Sequence, residues 1–492
     1  MDRTALVPPD YSRKWLVLAA VMVGTFMAPL DSSIVNVALP TLRSAFNVPI
    51  TSVEWVVVAY LLVISTLLLT FGRLADMIGL KSVYMMGFAL FTVGSLACAL
   101  AWSIWSLVGF RVLQALGAAM MFAAGPAIIT AAFPPTERGR ALGLVGVAVS
   151  AGMTVGPTVG GVIVGIASWR WIFLINVPIG IVALLLSWRA IAGSSSRDQK
   201  SDPLGAILSF VALLPVLLAL SQGSEWGWTS PLVLAMFAVS MAAGAAFILA
   251  ERKVHEPMLD LSLFRVRLFS AGLLSAMASF VVTGAVLFTM PFYLQTAHGI
   301  GVSTAGLLMT PLPLAMLVFG PISGALSDRI GSRVLSTLGL LVGAAAAFSL
   351  TGLSLTTGYL GIALRLAIIG AGSGLFQSPN SSAVMGTVPP FRLGVASGTL
   401  ATSRNVGQVF GVGLAGLVLS VRVPAYLRQL TPQLGSELAA KQALIHAAHE
   451  VGWLCVGVCL LGAILSLTRG PTQVLEKPGS NGGGPVPKSP AA

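Results

Sequence analysis

Charged residues are scarce in this chain of 492 residues, where Asp, Glu, Lys and Arg together occupy 9% of the positions. A soluble domain carries about a quarter of such residues, and a disordered chain combines low hydrophobicity with high charge, so both classes are excluded. Apolar residues reach 56%, and the mean hydropathy is +0.91. The composition therefore predicts a protein with many membrane-spanning helices.

Cysteine is also scarce, and Cys98, Cys455 and Cys459 all lie in apolar runs, where they serve as small hydrophobic residues. Neither a disulfide framework nor a metal site is predicted. The sequence offers no phosphate-binding loop, nucleophile or redox fingerprint, so we predict a protein that is not an enzyme, uses no ATP and has no cofactor. Basic residues outnumber acidic ones, 28 to 16, but they occur between apolar runs and do not cluster as in a nucleic-acid binder.

Fourteen segments meet the requirement of a spanning helix for roughly 20 mainly apolar residues. They are 15–39, 52–71, 82–101, 103–130, 139–166, 171–190, 203–221, 230–250, 268–295, 303–327, 334–353, 357–384, 395–421 and 451–468. Cytoplasmic loops are enriched in Lys and Arg. This tests the number of helices, because one helix too many or too few would move every later loop to the wrong side of the membrane. With the N-terminus in the cytoplasm, most basic residues fall in the even-numbered connections and the tails, so we predict both termini to be cytoplasmic.

Two cytoplasmic loops share one pattern: GRLADMIGLK, which starts at Gly72, and GALSDRIGSR, which starts at Gly324. Arg111 of helix 4 likewise corresponds to Arg365 of helix 12. This repeat relates helices 1–6 to helices 9–14, an arrangement typical of secondary transporters, whose substrate site lies between the repeats. The predicted domains are a cytoplasmic tail (1–14), a six-helix bundle (15–190), two inserted helices (203–250), a second bundle (268–468) and a disordered tail (469–492).

Four motifs give the chain a resemblance to the major facilitator superfamily, and within it to the fourteen-helix drug:proton antiporters. They are LDSSIVNVALP in helix 1, GRLADMIGLK in the first repeated loop, RVLQALGAA in helix 4 and GMTVGPTVGG in helix 5. The resemblance implies an all-α major facilitator fold with two six-helix bundles and two inserted helices. It also implies alternating access, with the helix 5 motif indicating antiport. The sequence departs from the family pattern at Met77 and Leu80, where a base is common, and at Glu54, where glutamine is frequent.

Asp31 lies eight residues from the outer end of helix 1, about 12 Å deep. A carboxylate there costs roughly 2.5–3.5 kcal/mol unless it meets a partner or water. Arg111 has a similar depth in helix 4, one turn from Gln114. If the two helices are neighbours, as the resemblance implies, Arg111 favours ionised Asp31 and desolvation favours the protonated form. We predict that these three residues couple proton movement; a static ion pair that orients two helices is the alternative.

The other site predictions come from the motifs and from polar residues within the spans. The repeated loops are expected to latch the bundles together; the alternative is that they only set the orientation of the helices in the membrane. Asp76 is expected to begin a helical segment. The gating residues are Gly72, Arg73, Asp76, Gly79, Lys81, Asp328 and Arg333. The small-residue stripe of the antiporter helix is Gly152, Gly156, Pro157, Gly160 and Gly161. The substrate cavity is predicted to include Asn36, Glu54, Tyr60, Arg365, Gln377 and Asn380. For Gln377 and Asn380, and likewise for Arg404, hydrogen bonding between helices is an equal alternative. Glu54 has an alternative as a solvated carboxylate at a helix start.

We therefore predict a proton-driven exporter of lipophilic, cationic compounds, monomeric in the bacterial inner membrane. Its partners are the small-molecule substrate, protons and the lipid bilayer. Helices 9 and 10 lack acidic residues, which favours monovalent or neutral substrates. One alternative is export of an endogenous metabolite, a siderophore or a lipid. Another is a transport-dead sensor or scaffold, which would not need a buried Asp31. Because the second half has no counterpart of Asp31, we expect coupling to reside in the first half.

Overall fold

The computed structural model describes residues 11–48, 50–193, 202–254, 259, 261–389 and 392–469, and no β-strand occurs in these ranges. Long apolar segments form helices because a helix satisfies its own backbone hydrogen bonds in lipid. The α-helices are α1 (Lys14–Phe46), α2 (Ile50–Ile78), α3 (Leu80–Ala99), α4 (Ile104–Ala132), α5 (Arg138–Ile166), α6 (Trp171–Leu174), α7 (Asn176–Ala190), α8 (Pro203–Trp226), α9 (Pro231–Glu251), α10 (Arg267–Phe292), α11 (Val302–Met309), α12 (Pro311–Ile330), α13 (Ser332–Leu350), α14 (Tyr359–Met385), α15 (Leu393–Leu434) and α16 (Ser436–Leu467). Of the predicted tails, residues 1–10 and 470–492 lie outside the described residues.

Fourteen segments of these helices are long and apolar enough to cross a membrane, which confirms the predicted number. Two of the crossings consist of a pair of helices, α6 with α7 and α11 with α12. The second pair breaks at Thr310, directly before Pro311 at the start of α12. Proline lacks the backbone N–H that would continue the helix and is favourable at the first helical position.

The outer connection between the last two crossings differs from the prediction. The sequence predicts a long loop near 422–450, whereas α15 and α16 run on into this region as a helical hairpin. Gly435 alone separates the two helices, and its φ of 75° is a conformation that glycine adopts without steric cost. Arg422 Nη2 and Glu450 Oε1, 2.5 Å apart, pair across the hairpin. Segments of low apolar content can thus remain helical outside the membrane when partner helices pair their charges.

Each bundle has its own apolar core. In the N-terminal bundle, Tyr84, Phe88 and Phe91 are fully buried in one cluster, and in the C-terminal bundle Tyr293 and Leu366 belong to another. The inserted helices α8 and α9 pack against each other, and α8 also contacts α2 and α15, one helix from each bundle. The insertion therefore lies against the junction between the bundles.

The two bundles approach most closely near the cytoplasmic face, where glycine lies against glycine. Gly72 of α2 meets Gly394 and Gly398 of α15, and Gly143 of α5 meets Gly320 of α12. Small residues of this kind let helix backbones come close together. The protein is therefore closed at its cytoplasmic face.

We predict that Gly143→Ala opens this junction. The added Cβ would lie 2.8 Å from the carbonyl oxygen of Gly320 and 2.9 Å from Cα of Pro321, so α5 and α12 must move apart. Distances between nitroxide labels at Thr136 and Arg329, both exposed beside the junction, should gain a longer population in pulsed electron resonance.

Gly165→Ala in the same helix is the matched control, because nothing lies within 4 Å of its added Cβ. Alanine is favoured over glycine in a helix by about 1 kcal/mol, so this variant should keep the original distances. An identical distance distribution in Gly143→Ala and the original protein would show that the junction is not as tight as described.

Candidate functional site

Asp31 of α1 and Arg111 of α4 form an ion pair inside the N-terminal bundle, between Asp31 Oδ2 and Arg111 Nη1. Both side chains are 0% exposed. Asp31 lies near the end of its span and Arg111 near the start of its span. Because the two helices run in opposite directions, both positions have the same depth, and the side chains meet within the membrane. A buried pair of this kind is stable only when further hydrogen bonds satisfy its remaining groups.

Two amides supply those hydrogen bonds to the carboxylate. Gln114 Nε2 and Asn176 Nδ2 donate to Asp31 Oδ1 at 2.9 and 2.8 Å. Gln114 also accepts from Arg111 Nη1 at 2.7 Å through Oε1, and its Nε2 lies 2.7 Å from Ser95 Oγ. Both oxygens of the Asp31 carboxylate thus accept hydrogen bonds from buried side chains.

Helix α2 adds two contacts to the guanidinium, whose buried Nη2 has no hydrogen-bond partner. Arg111 Nε donates to the backbone oxygen of Val56 at 3.1 Å, and the Tyr60 ring centroid lies 3.9 Å from Arg111 Cζ. A cation over an aromatic face is attracted by the ring quadrupole, more strongly where water is absent. Tyr60 is 1% exposed, so it belongs to this buried site, whereas the sequence predicts it in the substrate cavity.

The antiporter-helix glycines bring α5 close to the segment of α1 that carries Asp31. A Cβ on Gly152 would fall 2.6 Å from the backbone oxygen of Phe26, and one on Gly160 would fall 3.2 Å from Cα of Ile34. Gly156 packs on the same face, whereas nothing lies within 4 Å of a Cβ on Gly161. Pro157 lies in α5, with its side chain outside the described part. Three of the four glycines thus serve the contact with α1.

Asp76 joins α2 to the opposite bundle. Its Oδ1 accepts from the backbone N–H of Gly394 at 2.7 Å, and its Oδ2 accepts from that of Val395 at 2.8 Å. The prediction that Asp76 begins a helical segment is wrong, because α2 continues to Ile78 and Asp76 lies in its last turn. The helix whose start it stabilises is α15, where unpaired N–H groups and the helix dipole favour a carboxylate.

Asp328 makes the equivalent contact in the opposite direction. Its two carboxylate oxygens accept from the backbone N–H groups of Gly139 and Arg140 at the start of α5, both at 3.1 Å. Ser378 Oγ donates to the backbone oxygen of Gly139 at 2.6 Å. Each bundle therefore carries an aspartate that caps a helix of the other bundle. We call these two contacts the cytoplasmic latches.

The other predicted gating residues lie around the latches. Gly79 and its counterpart Gly331 have φ values of 97° and 90°, which a side chain would strain, at the turns that follow α2 and α12. Lys81 Nζ donates to the backbone oxygen of Trp188 at 2.8 Å, within its own bundle. Arg73 and Arg333 are half-buried near the same face.

A cleft lies between the bundles, on the membrane side of the latches. Its N-terminal wall, from α4 and α5, is mostly apolar and includes Leu142, Val145 and Val149. Its C-terminal wall carries the polar side chains of Gln377 and Arg404, beside the apolar Met316 and Leu400.

Besides Tyr60, four of the predicted cavity residues lie away from this cleft. Arg365 Nε and Nη1 donate to the backbone oxygens of Ser349 and Gly361 at 2.9 and 3.0 Å near the outer face. Asn380 is 0% exposed, and its Nδ2 donates to the backbone oxygen of Gly272 at 3.1 Å. Asn36 is exposed, and Glu54 is half-buried near the start of α2. The structure therefore places Gln377, of the predicted cavity residues, at the cleft.

Sequence reasoning missed Asn176, which contacts Asp31 directly. The one available signal was an amide embedded in the apolar run WIFLINVPIG. Arg404 was visible as a charge within a span, but the sequence does not show that its side chain reaches the space between the bundles.

A family model described as Major Facilitator Superfamily matches residues 21–412. The riboflavin transporter RibZ of Clostridioides difficile is 33% identical, over 92% of this chain and 97% of RibZ. The multidrug resistance protein Stp of Mycobacterium tuberculosis is 35% identical, over 84% of this chain and 77% of Stp. A crystal structure of a double-tryptophan mutant of XylE aligns with a TM-score of 0.63 and 16% identity, covering 93% of this chain and 98% of XylE. That likeness concerns the fold alone.

We predict that Asn176→Ala destabilises the protein by about 1–3 kcal/mol, because Asp31 loses one of its buried donors. Thermal unfolding in detergent, followed by tryptophan fluorescence, should show a lower midpoint. Asn36→Ala, which removes an exposed amide from the helix that carries Asp31, is the matched control and should unfold like the original protein. Equal midpoints for the two variants would contradict a role of Asn176 in holding the carboxylate.

Proposed function

Because the chain belongs to the Major Facilitator Superfamily, a family of transporters, we propose that it is a proton-coupled antiporter that exports lipophilic compounds by alternating access. The buried Asp31–Arg111 pair is the observation that carries the proposal. An ionisable group inside a membrane protein is functional by default, because its insertion is costly. The relative named as a multidrug resistance protein supports a drug or toxic compound as cargo.

Protonation of Asp31 changes the forces at the site in a definite way. Arg111 Nη1, Gln114 Nε2 and Asn176 Nδ2 donate to the carboxylate. A proton on either oxygen removes an acceptor position and leaves the Arg111 charge without its counterion. The contacts among α1, α4 and α7 then weaken. The proton can shift the balance between conformations only by the difference of its affinity for them.

The cytoplasmic latches control the second step of the proposed transport cycle, which is access to the cleft from the cytoplasm. With Asp76 and Asp328 in place, the cleft is closed toward the cytoplasm. A compound can enter from the cytoplasm only after both carboxylates release the helices that they cap. Rocking of two bundles around a central site is the general transport movement of such repeats.

The alternative within transport is export of an endogenous metabolite. One relative, which covers nearly the whole chain, is named as a riboflavin transporter, and this favours the alternative. The predicted preference for cations draws no support from the cleft, because its described lining contains no Asp or Glu.

We predict that Asp31→Asn abolishes gradient-driven dye export, since an amide cannot take up the proton. In proteoliposomes with an imposed pH gradient, movement of rhodamine 123 or fluorescein by the variant should fall to the level of vesicles without protein. Wild-type movement should cease when the gradient is collapsed.

Glu437→Gln is the control, because Glu437 is 85% exposed on the outer hairpin. This variant should transport like the wild type. Equal gradient-driven movement by wild type and Asp31→Asn would remove Asp31 from the mechanism. Wild-type movement that persists without a gradient would overturn proton coupling itself.

A further inference from the structure

Arg404 places a positive charge in the middle of the membrane, at the cleft. It lies eleven residues after the start of α15, about 16 Å along the helix, and it lines the cleft together with Gln377 and Ser381. The hydrocarbon core of a bilayer is about 30 Å thick. The guanidinium is therefore near the midplane, at the interface between the repeats.

The protein offers few hydrogen-bond acceptors to the guanidinium of Arg404. Nη2 donates to Ser381 Oγ, and the Phe280 ring centroid lies 5.8 Å from Cζ. The buried Nε has no hydrogen-bond partner, and no acidic residue in the described ranges forms an ion pair with Arg404. A guanidinium has five N–H donors and no acceptor. At least one donor of a side chain that lines the cleft thus has no acceptor in the protein.

The other two arginines of the predicted spans, Arg111 and Arg365, have more partners in the protein. Asp31 neutralises Arg111, and Arg365 donates to two backbone oxygens. A charge in this environment is retained where it meets a counterion, water or a ligand. Arg404 is held in the cleft by a single hydroxyl, so its position provides binding capacity and adds little to helix packing.

The two walls of the cleft define the shape of a ligand. Leu142, Val145 and Val149 offer an apolar surface, and Arg404 and Gln377 face it from the opposite bundle. A flat apolar body would fill the first wall, and a group with acceptor oxygens would meet the second. Arginine is well suited to such groups, because its planar fork matches a carboxylate.

We propose that Arg404 is an anion-binding residue of the cleft and that the exported compounds are lipophilic organic acids, with an apolar ring system and a carboxylate or acidic phenol. The proposal rests on the proposed export function for its physiological meaning, but the binding step can be tested without transport. It replaces the cationic preference that the sequence predicts.

Equilibrium binding of two dyes to the full-length protein in nanodiscs tests the sign of the charge. Fluorescein carries a carboxylate and a phenolate, and rhodamine 123 has the same xanthene skeleton with a positive charge. Fluorescence anisotropy without any pH gradient should show at least tenfold tighter binding of fluorescein by the wild type. No saturable binding of fluorescein, or tighter binding of rhodamine 123, overturns the proposal before any variant is made.

Three variants identify the residue responsible. Arg404→Gln should weaken fluorescein binding at least tenfold and leave rhodamine 123 binding unchanged or tighter. Arg404→Lys keeps the charge but loses the fork, so its affinity for fluorescein should lie between those two proteins. Arg428→Gln is the matched control, because Arg428 lies exposed in the same helix, and it should bind both dyes like the wild type.

Equal fluorescein binding by Arg404→Gln and the wild type overturns the assignment of Arg404. Equal weakening of both dyes in this variant does the same, because it indicates a general loss of structure. Export is measured separately in proteoliposomes. Selective binding without gradient-driven movement contradicts the antiporter alone, whereas gradient-driven movement with charge-indifferent binding contradicts the anion site alone.

Discussion

The ion pair of Asp31 and Arg111 is the constraint on which the N-terminal bundle depends. Both charges are removed from water, and loss of either partner would leave the other uncompensated at a cost of about 3–5 kcal/mol. Five helices contribute to the site. Besides α1 and α4, α7 donates through Asn176, α3 accepts from Gln114 through Ser95 Oγ, and α2 accepts from Arg111 through the Val56 carbonyl. A change in the charge of one carboxylate therefore acts on the packing of most of the bundle at once.

The C-terminal bundle holds the two arginines of its predicted spans, Arg365 and Arg404, without an ion pair in the described part of the chain. Arg365 corresponds to Arg111 in the repeat, but its acceptors are backbone oxygens, and these do not take up a proton in the cellular pH range. The bundle can fix that charge and cannot switch it. Its second arginine, Arg404, faces the cleft. In the proposed mechanism the two halves have different roles: the first takes up the proton at Asp31, and the second presents the charge of Arg404 to a ligand.

Depth in the membrane can be counted from the sequence, and rotation about a helix axis cannot. Counting placed Asp31 and Arg111 at one depth, the family resemblance made their helices neighbours, and the structure shows the contact. For Asn380 the sequence left cavity lining and hydrogen bonding between helices open, and its side chain turns toward α10. Asp76 was misplaced because the sequence gives helix ends only to within a few residues. The fold was easier to predict from the sequence than the site, since fourteen apolar runs and one repeated loop indicate the number and symmetry of the helices.

Helix α5 contacts each of the three functional parts. Its start is capped by Asp328, its middle lines the cleft through Val149, and Gly152 packs on α1 beside Asp31. By the repeat, α15 is its counterpart, with its start capped by Asp76 and its middle carrying Arg404. Release of the latches frees one helix in each wall of the cleft, and packed helices shift as units between discrete arrangements. The proton and the cargo can therefore influence each other through the position of α5, without direct contact between Asp31 and the substrate.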